Sequence, residues 1–235
     1  MNLSQLPLLE QAIFVLAALV VLTSFSQLAQ TRLTASIHSF AWQGAMVAMV
    51  TVLVATASGI PHLYLSALLT LSLKSLLIPW MLHRLVRRLN MEREVETISH
   101  PALMVLAGTG LVIFSYWVAL PIERLELAAT RNVVAVSLSV VLLGLWMMVA
   151  RRRVVAQVLG FMSMENGLFL AAVASTRGMP LVVELGVAFD VLVAAVLFGV
   201  FFFHISESID SLDVDRLNRL TSLDVKDHQA REETS

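Results

Sequence analysis

Seven long runs of apolar side chains dominate this sequence and limit what it can fold into. Each run holds about 20 residues, which is the length that an α-helix needs to cross the hydrocarbon core of a bilayer. The runs cover Leu8–Leu28, Ile37–Ala57, Leu63–Leu85, Pro101–Leu120, Asn132–Ala150, Val154–Ala174 and Leu181–Ile205. The sequence therefore predicts an all-α, polytopic bundle of about seven transmembrane helices.

The composition supports a membrane protein and excludes several kinds of site. Hydrophobic residues make up 58% of the chain and charged residues 14%, whereas a soluble domain is about half apolar and a quarter charged. The apolar runs do not alternate with polar residues as the strands of a membrane barrel do. No cysteine is present, which excludes cysteine-ligated metal and iron–sulfur sites and a cysteine nucleophile. The net charge of -1 gives no basic surface, so no nucleic-acid partner is expected.

The distribution of arginine predicts how the helices are oriented. Most arginines follow the first, third and fifth runs, namely Arg32, Arg84, Arg87, Arg88, Arg93, Arg151, Arg152 and Arg153. Connections rich in Lys and Arg stay in the cytoplasm. The N-terminus is therefore predicted to lie outside, and the C-terminus in the cytoplasm.

We divide the chain into four parts. Residues 1–100 form an N-terminal group of three spans, and residues 101–131 hold the fourth span and an outer loop. Residues 132–207 form a second unit of three spans. In residues 208–235, apolar residues recur near helical spacing before a polar end, which predicts a cytoplasmic amphipathic helix followed by a disordered tail.

Four ionisable residues interrupt the apolar runs: Lys74, Glu165, Glu184 and Asp190. Placing a charge at the centre of a bilayer costs about 2.5–3.5 kcal/mol on insertion scales, and such residues commonly mark ion or proton paths. Glu184 and Asp190 are separated by about 9 Å along a helix axis, a distance that a few water molecules can bridge. We therefore predict these four residues to be proton-transfer groups.

A structural reading of the same residues stays open. Glu165 could pair with Lys74, and Asp190 could bond a polar neighbour, only to hold helices together. The functional reading rests on burial, which favours the neutral form of a carboxyl group. A buried carboxyl group can then accept or release a proton when its water or charged neighbours change. No nucleophile, base and acid occur as a set, so catalysis by this chain alone is not expected, and no metal site is predicted.

Residues 132–207 resemble the K subunit of respiratory complex I and the related C subunit of multisubunit cation/proton antiporters. In "GFMSMENGLFLAAV", Glu165 and Asn166 match the glutamate and the nearby asparagine of the middle K-subunit helix. In "FDVLVAAVLFGVFFFH", Asp190 stands where the third helix of that subunit has a second glutamate. Glu184 has no clear counterpart.

With its additional N-terminal spans, the chain resembles hydrogenase-4 component E. The resemblance implies a non-catalytic membrane subunit of a nickel–iron hydrogenase, formate hydrogenlyase or complex I-like assembly in a bacterial or archaeal cytoplasmic membrane. The implied partners are large antiporter-like membrane subunits and a hydrogenase or complex I-like membrane anchor subunit within the lipid bilayer. No cofactor is expected in this chain, and the nickel–iron centre and iron–sulfur clusters are expected in partner subunits.

The same resemblance implies a role for each buried charge. Glu165 and Asp190 are the implied proton-exchanging groups, Lys74 a counter-charge and Glu184 a relay nearer the outer surface. Two alternatives remain: a secondary cation transporter, which typically has paired broken helices and a clear internal repeat, and a purely structural scaffold of a membrane arm. Whether the ion is H⁺ or Na⁺ is left open.

Overall fold

The computed structural model describes residues 8–59, 61–88, 101–120, 128–175, 185–196 and 199, and within these residues there are helices and short connections but no strand. The helices are α1 (Leu8–Ala29), α2 (Leu33–Ser58), α3 (His62–Arg88), α4 (Pro101–Ala119), α5 (Ala128–Ala150), α6 (Val154–Ser175) and α7 (Leu185–Val196). Helix α3 is α-helical over His62–Thr70 and Ile78–Arg88, and it is π-helical over Leu71–Leu77 between them.

The all-α prediction is confirmed for the described residues. Helices α1 to α6 are each long and apolar enough to cross a membrane, and their ends lie within a few residues of the predicted spans. Helix α7 is shorter and lies inside the predicted seventh span. The rest of that span and residues 208–235 lie outside the described residues. The orientation of the termini and the division into four parts stay predictions.

Local sequence explains where two of the helices end or begin. Helix α2 ends at Gly59, whose φ of 65° is left-handed and whose N–H donates to the Ala55 carbonyl. Glycine adopts this conformation without the steric penalty that other residues have. Helix α4 begins at Pro101, as predicted, because the first turn of a helix tolerates a missing N–H.

Close packing of α5 against α6 depends on glycine. A Cβ atom added at Gly144 would lie 2.5 Å from the Met164 nitrogen, and one added at Gly160 would lie 2.9 Å from the Gly144 carbonyl oxygen. Such distances are shorter than van der Waals contact. Small residues of this kind let the backbones of membrane helices approach closely.

Helices α1, α2 and α5 each contact at least three other helices. Helix α2 contacts α1, α3 and α6, whereas α5 contacts α1, α4 and α6. Residues Met1–Ala194 form one compact unit, so the first six helices and most of α7 belong to a single bundle. A second unit begins at Ala195, and only Ala195, Val196 and Gly199 of it are described.

Candidate functional site

Lys74 lies at the middle of the π-helical segment of α3, and its side chain is fully buried. A π-helical turn inserts a residue into the α-helical repeat, and such turns are frequent at functional sites. Gly44 of α2 packs directly on this turn, since a Cβ atom at Gly44 would lie 3.0 Å from the Lys74 Cβ. The lysine therefore projects into the bundle from a position where two helix backbones are close together.

Two carboxyl groups from two other helices meet this lysine. The Lys74 Nζ lies 2.7 Å from Glu165 Oε2 of α6 and 3.3 Å from Asp190 Oδ1 of α7. Glu165 is 7% exposed, and Asp190 is fully buried. We call Lys74, Glu165 and Asp190 the charged triad.

Aromatic and glycine residues enclose the charged triad. The Lys74 Nζ lies 5.5 Å from the centre of the Phe169 ring, one helical turn beyond Glu165. A Cβ atom at Gly186 would lie 3.1 Å from Phe169 Cδ2 and 3.5 Å from Glu165 Oε1. Glycine at this position therefore lets α7 approach α6 and brings Asp190, one turn further along α7, to the lysine.

The charges of the triad do not balance when all three groups are ionised. One lysine against two carboxylates gives +1 - 2 = -1. A buried charge without compensation is destabilising by several kcal/mol, even where one ion pair is already formed. An additional proton or another small cation would neutralise the site.

A second buried polar cluster lies next to the triad and is neutral. The Gln43 amide of α2 donates to Ser24 Oγ at 2.7 Å and to Ser163 Oγ at 3.0 Å. Its carbonyl oxygen accepts from Gln27 at 3.2 Å and from Asn166 at 3.1 Å. An amide side chain offers two donors and two acceptor positions, so Gln43 is fully hydrogen-bonded. We call these five residues the amide network; it joins α1, α2 and α6.

Arg151 is one of the arginines that the sequence predicts in a cytoplasmic connection; it lies just after α5 and is only 2% exposed. Its Nη2 donates to the carbonyl oxygens of Leu28, at 2.9 Å, and of Gln30. The last carbonyls of a helix have no partner within the helix, and a cation there interacts favourably with the helix dipole. Arg151 therefore caps the C-terminal end of α1.

The structure brings together three of the four predicted site residues. Lys74, Glu165 and Asp190 form the triad, whereas Glu184 lies outside the described residues. Within those residues no group of three His, Cys, Asp or Glu side chains could hold a metal ion. Sequence reasoning missed the amide network as a site. Two glutamines inside apolar runs, Gln27 and Gln43, were the available signal for it.

Comparison with known proteins found relatives by sequence. The uncharacterized protein Rv0085 of Mycobacterium tuberculosis is 32% identical over 189 residues, which cover 80% of this chain and 86% of the relative. Hydrogenase-4 component E of Escherichia coli K12 is 28% identical over 147 residues, or 63% of this chain and 68% of the relative. The protein of the same name from Shigella flexneri gives the same values. No protein-family model and no solved structure matches the chain.

Proposed function

This chain belongs to the same family as the mycobacterial protein Rv0085, and from that premise we propose that it is a membrane subunit of a hydrogenase-type complex. The similarity to hydrogenase-4 component E supports this assignment. The six helices able to cross a membrane agree with it. As an integral subunit of a bacterial inner membrane, the chain would not itself carry out the redox reaction.

Within such a complex, the proposed task of the chain is to carry part of a proton path through the membrane. Glu165 and Asp190 exchange the proton, and Lys74 is the counter-charge that keeps one carboxyl group ionised. Glu184 is proposed as the relay toward the outer surface. The nickel–iron centre and iron–sulfur clusters belong to partner subunits, and the proposed neighbours in the membrane are large antiporter-like subunits and a membrane anchor subunit.

The observation that supports a proton path is the arrangement of the triad. Two buried carboxyl groups share one lysine, at 2.7 and 3.3 Å. A purely structural ion pair needs one carboxylate for one lysine. The second carboxyl group adds a charge that a mobile proton can balance, and this makes the site suitable for proton exchange.

A scaffold function is the second candidate, and the short Lys74–Glu165 contact favours it. In that case the triad holds α3, α6 and α7 together, and no proton leaves it. The two functions differ in what happens when Glu165 is neutralised without loss of size.

The test is proton movement by the assembled complex carrying Glu165→Gln or Asp190→Asn. The glutamine removes the titratable group and keeps the hydrogen-bonding capacity, so assembly should persist while proton movement per electron falls. The double mutant should be little worse than either single mutant, because both residues act on the same route. The measurement is the response of a pH-sensitive dye in vesicles driven by hydrogen oxidation, normalised to the amount of complex. Wild-type coupling in Glu165→Gln would contradict the proton path and favour the scaffold function.

The proposed orientation has its own test. The chain has no cysteine, so single cysteines can be introduced without removing any. A membrane-impermeant maleimide added to intact cells should label Arg177→Cys and should not label Ser235→Cys. Labelling of the tail from outside would contradict an outer N-terminus and a cytoplasmic C-terminus.

A further inference from the structure

A groove opens between α6 and α7 beside the charged triad. It has a volume of about 190 Å³, and Glu165 is the only charged residue in its walls among the residues that the structure describes. Three phenylalanines contribute to the lining, namely Phe161, Phe169 and Phe189. The rings of Phe161 and Phe189 are 5.3 Å apart at an angle of 41°. The groove is therefore an aromatic site with a carboxyl group at its base.

One oxygen of that carboxyl group is buried beside Gly186 in the groove wall and has no hydrogen-bond partner there in the described part of the chain. Glu165 Oε2 contacts Lys74, whereas Oε1 has no hydrogen-bond partner among the described residues. The Oε1 atom lies 3.5 Å from the position that a Cβ at Gly186 would occupy, and Gly186 is itself part of the groove wall. The oxygen is more than nine-tenths buried with its side chain, and a buried acceptor without a donor is unfavourable.

We propose that this groove binds a small lipophilic ammonium ion, with its N–H groups donating to Glu165 Oε1 and its apolar part lying against the phenylalanine rings. The charge is complementary, because the ionised triad carries -1. Aromatic faces attract ammonium ions, most strongly where water is excluded. The size also fits, because a dry cavity of about 150 Å³ accommodates benzene.

Such a ligand would compete with the proton of the triad. Either cation neutralises the same negative charge, and both together would overcompensate it. Binding of the ammonium ion does not depend on the proposed function, whereas the expected block of proton movement rests on it. A complex that binds the ligand and moves no protons in any state would therefore disprove the function and leave the binding site intact.

The experiment uses the complex that contains the full-length chain, purified into lipid nanodiscs. Radiolabelled benzylammonium is the probe, and benzyl alcohol of similar shape is its neutral control. Equilibrium dialysis measures binding that excess unlabelled ligand displaces, with empty nanodiscs correcting for lipid partition. We expect one saturable benzylammonium site per chain. The affinity for benzyl alcohol should be lower by a factor of about ten or more. Equal binding of both probes, or no saturable binding, would overturn the proposal.

Two variants with matched controls locate the site. Glu165→Gln should weaken benzylammonium binding about tenfold or more while leaving benzyl alcohol unchanged, and Glu10→Gln, a change of the same kind in the first turn of α1, should have no effect. Phe189→Leu should weaken benzylammonium a few-fold, about the value of one cation–π contact. Phe114→Leu, on the exposed face of α4, should not. If Glu165→Gln fails to assemble, an unchanged affinity in Phe189→Leu overturns the proposal on its own.

Discussion

The charged triad and the amide network lie side by side in one bundle, and they differ in whether their side chains can ionise. Glu165 belongs to the triad, and the next residue, Asn166, belongs to the network. Gln43 uses both donors and both acceptor positions. The triad, by contrast, consists of ionisable side chains, although Glu165 Oε1 and Asp190 Oδ2, like Gln27 Oε1 and Asn166 Oδ1 of the network, have no hydrogen-bond partner among the described residues.

This difference separates a cluster that only holds helices together from a site that can change its protonation state. A neutral network whose central amide is fully hydrogen-bonded has one favourable arrangement and gains nothing from taking up a proton. A buried cluster with one lysine and two carboxyl groups has a net charge that depends on how many protons it holds. Changes in the network should therefore affect stability alone, whereas changes in the triad should affect coupling as well as stability. Each prediction below tests that separation.

The largest effect is expected for Lys74→Met. Removing the lysine leaves two buried carboxyl groups without a cation, and breaking a buried pair in this way costs about 3–5 kcal/mol. We expect the subunit to be lost from the membrane or the unfolding temperature of the complex to fall sharply. Immunoblots of membrane fractions and thermal unfolding of purified complex measure both outcomes.

Rescue by a second substitution distinguishes an uncompensated charge in the triad from a general packing defect. Adding Glu165→Gln to Lys74→Met removes one of the stranded carboxylates, so part of the lost stability should return. Arg152→Met is the matched control, because Arg152 is exposed and its loss should have little effect. A Lys74→Met complex that assembles and pumps normally would contradict the role of Lys74 as counter-charge.

Gln43→Leu is the corresponding change in the amide network, and its effect should be smaller. It removes the hydrogen bond that each of Ser24, Gln27, Ser163 and Asn166 makes with Gln43. We expect a loss of about 1–3 kcal/mol, since the membrane-embedded hydrogen bonds are individually weak. Coupling per assembled complex should stay at the wild-type level. A Gln43→Leu complex of normal stability that moves fewer protons would contradict a purely structural role of the network.

The sequence predicted the helices well, because a run of about 20 apolar residues has few other ways to satisfy its backbone in lipid. It also identified Lys74, Glu165 and Asp190 singly, since a charge in such a run is costly and therefore conspicuous. The sequence alone does not show that these three side chains contact each other. Their contact depends on the rotation of each helix about its axis, which the π-helical turn at Lys74 and the contact at Gly186 help to set.

The amide network and the position of Arg151 were harder to predict for a different reason. Serine, asparagine and glutamine carry no charge and can bond within their own helix or to a neighbour, so their presence in a run does not show whether they contact each other. Arg151 belongs to a row of three arginines, and only the packing of α1 against α5 distinguishes it from Arg152. Sequence patterns show which residues are costly; the packing decides which of them are neighbours.

Gly44→Ala tests how far the triad depends on the contact between α2 and α3. The added Cβ would lie 3.0 Å from the Lys74 Cβ and 3.3 Å from its carbonyl carbon, and a backbone atom moves less readily than the end of a side chain. We expect a loss of about 1 kcal/mol, at the lower end of overpacking costs. Coupling should fall with stability because Lys74 moves. Gly110→Ala is the control, since nothing lies within 4 Å of a Cβ there.

The smallest effect is expected for Ser163→Ala. Ser163 accepts a single hydrogen bond from Gln43 and lies two residues before Glu165 on α6. Its loss should cost about 0.6 kcal/mol, the average for a side-chain hydrogen bond between membrane helices. Ser139→Ala is the matched control: Ser139 is also buried, but its hydroxyl donates to the Ala135 carbonyl of its own helix.

The value of Ser163→Ala lies in what should not change. If the amide network has only a structural role, proton movement per electron in Ser163→Ala should equal that of wild type and of Ser139→Ala. This should hold despite the short distance along the chain from Ser163 to Glu165. The same dye assay in vesicles measures this, normalised to assembled complex. If Ser163→Ala lowers coupling and Ser139→Ala does not, the proton route passes through the hydroxyl and amide groups, and the triad and the network form one path.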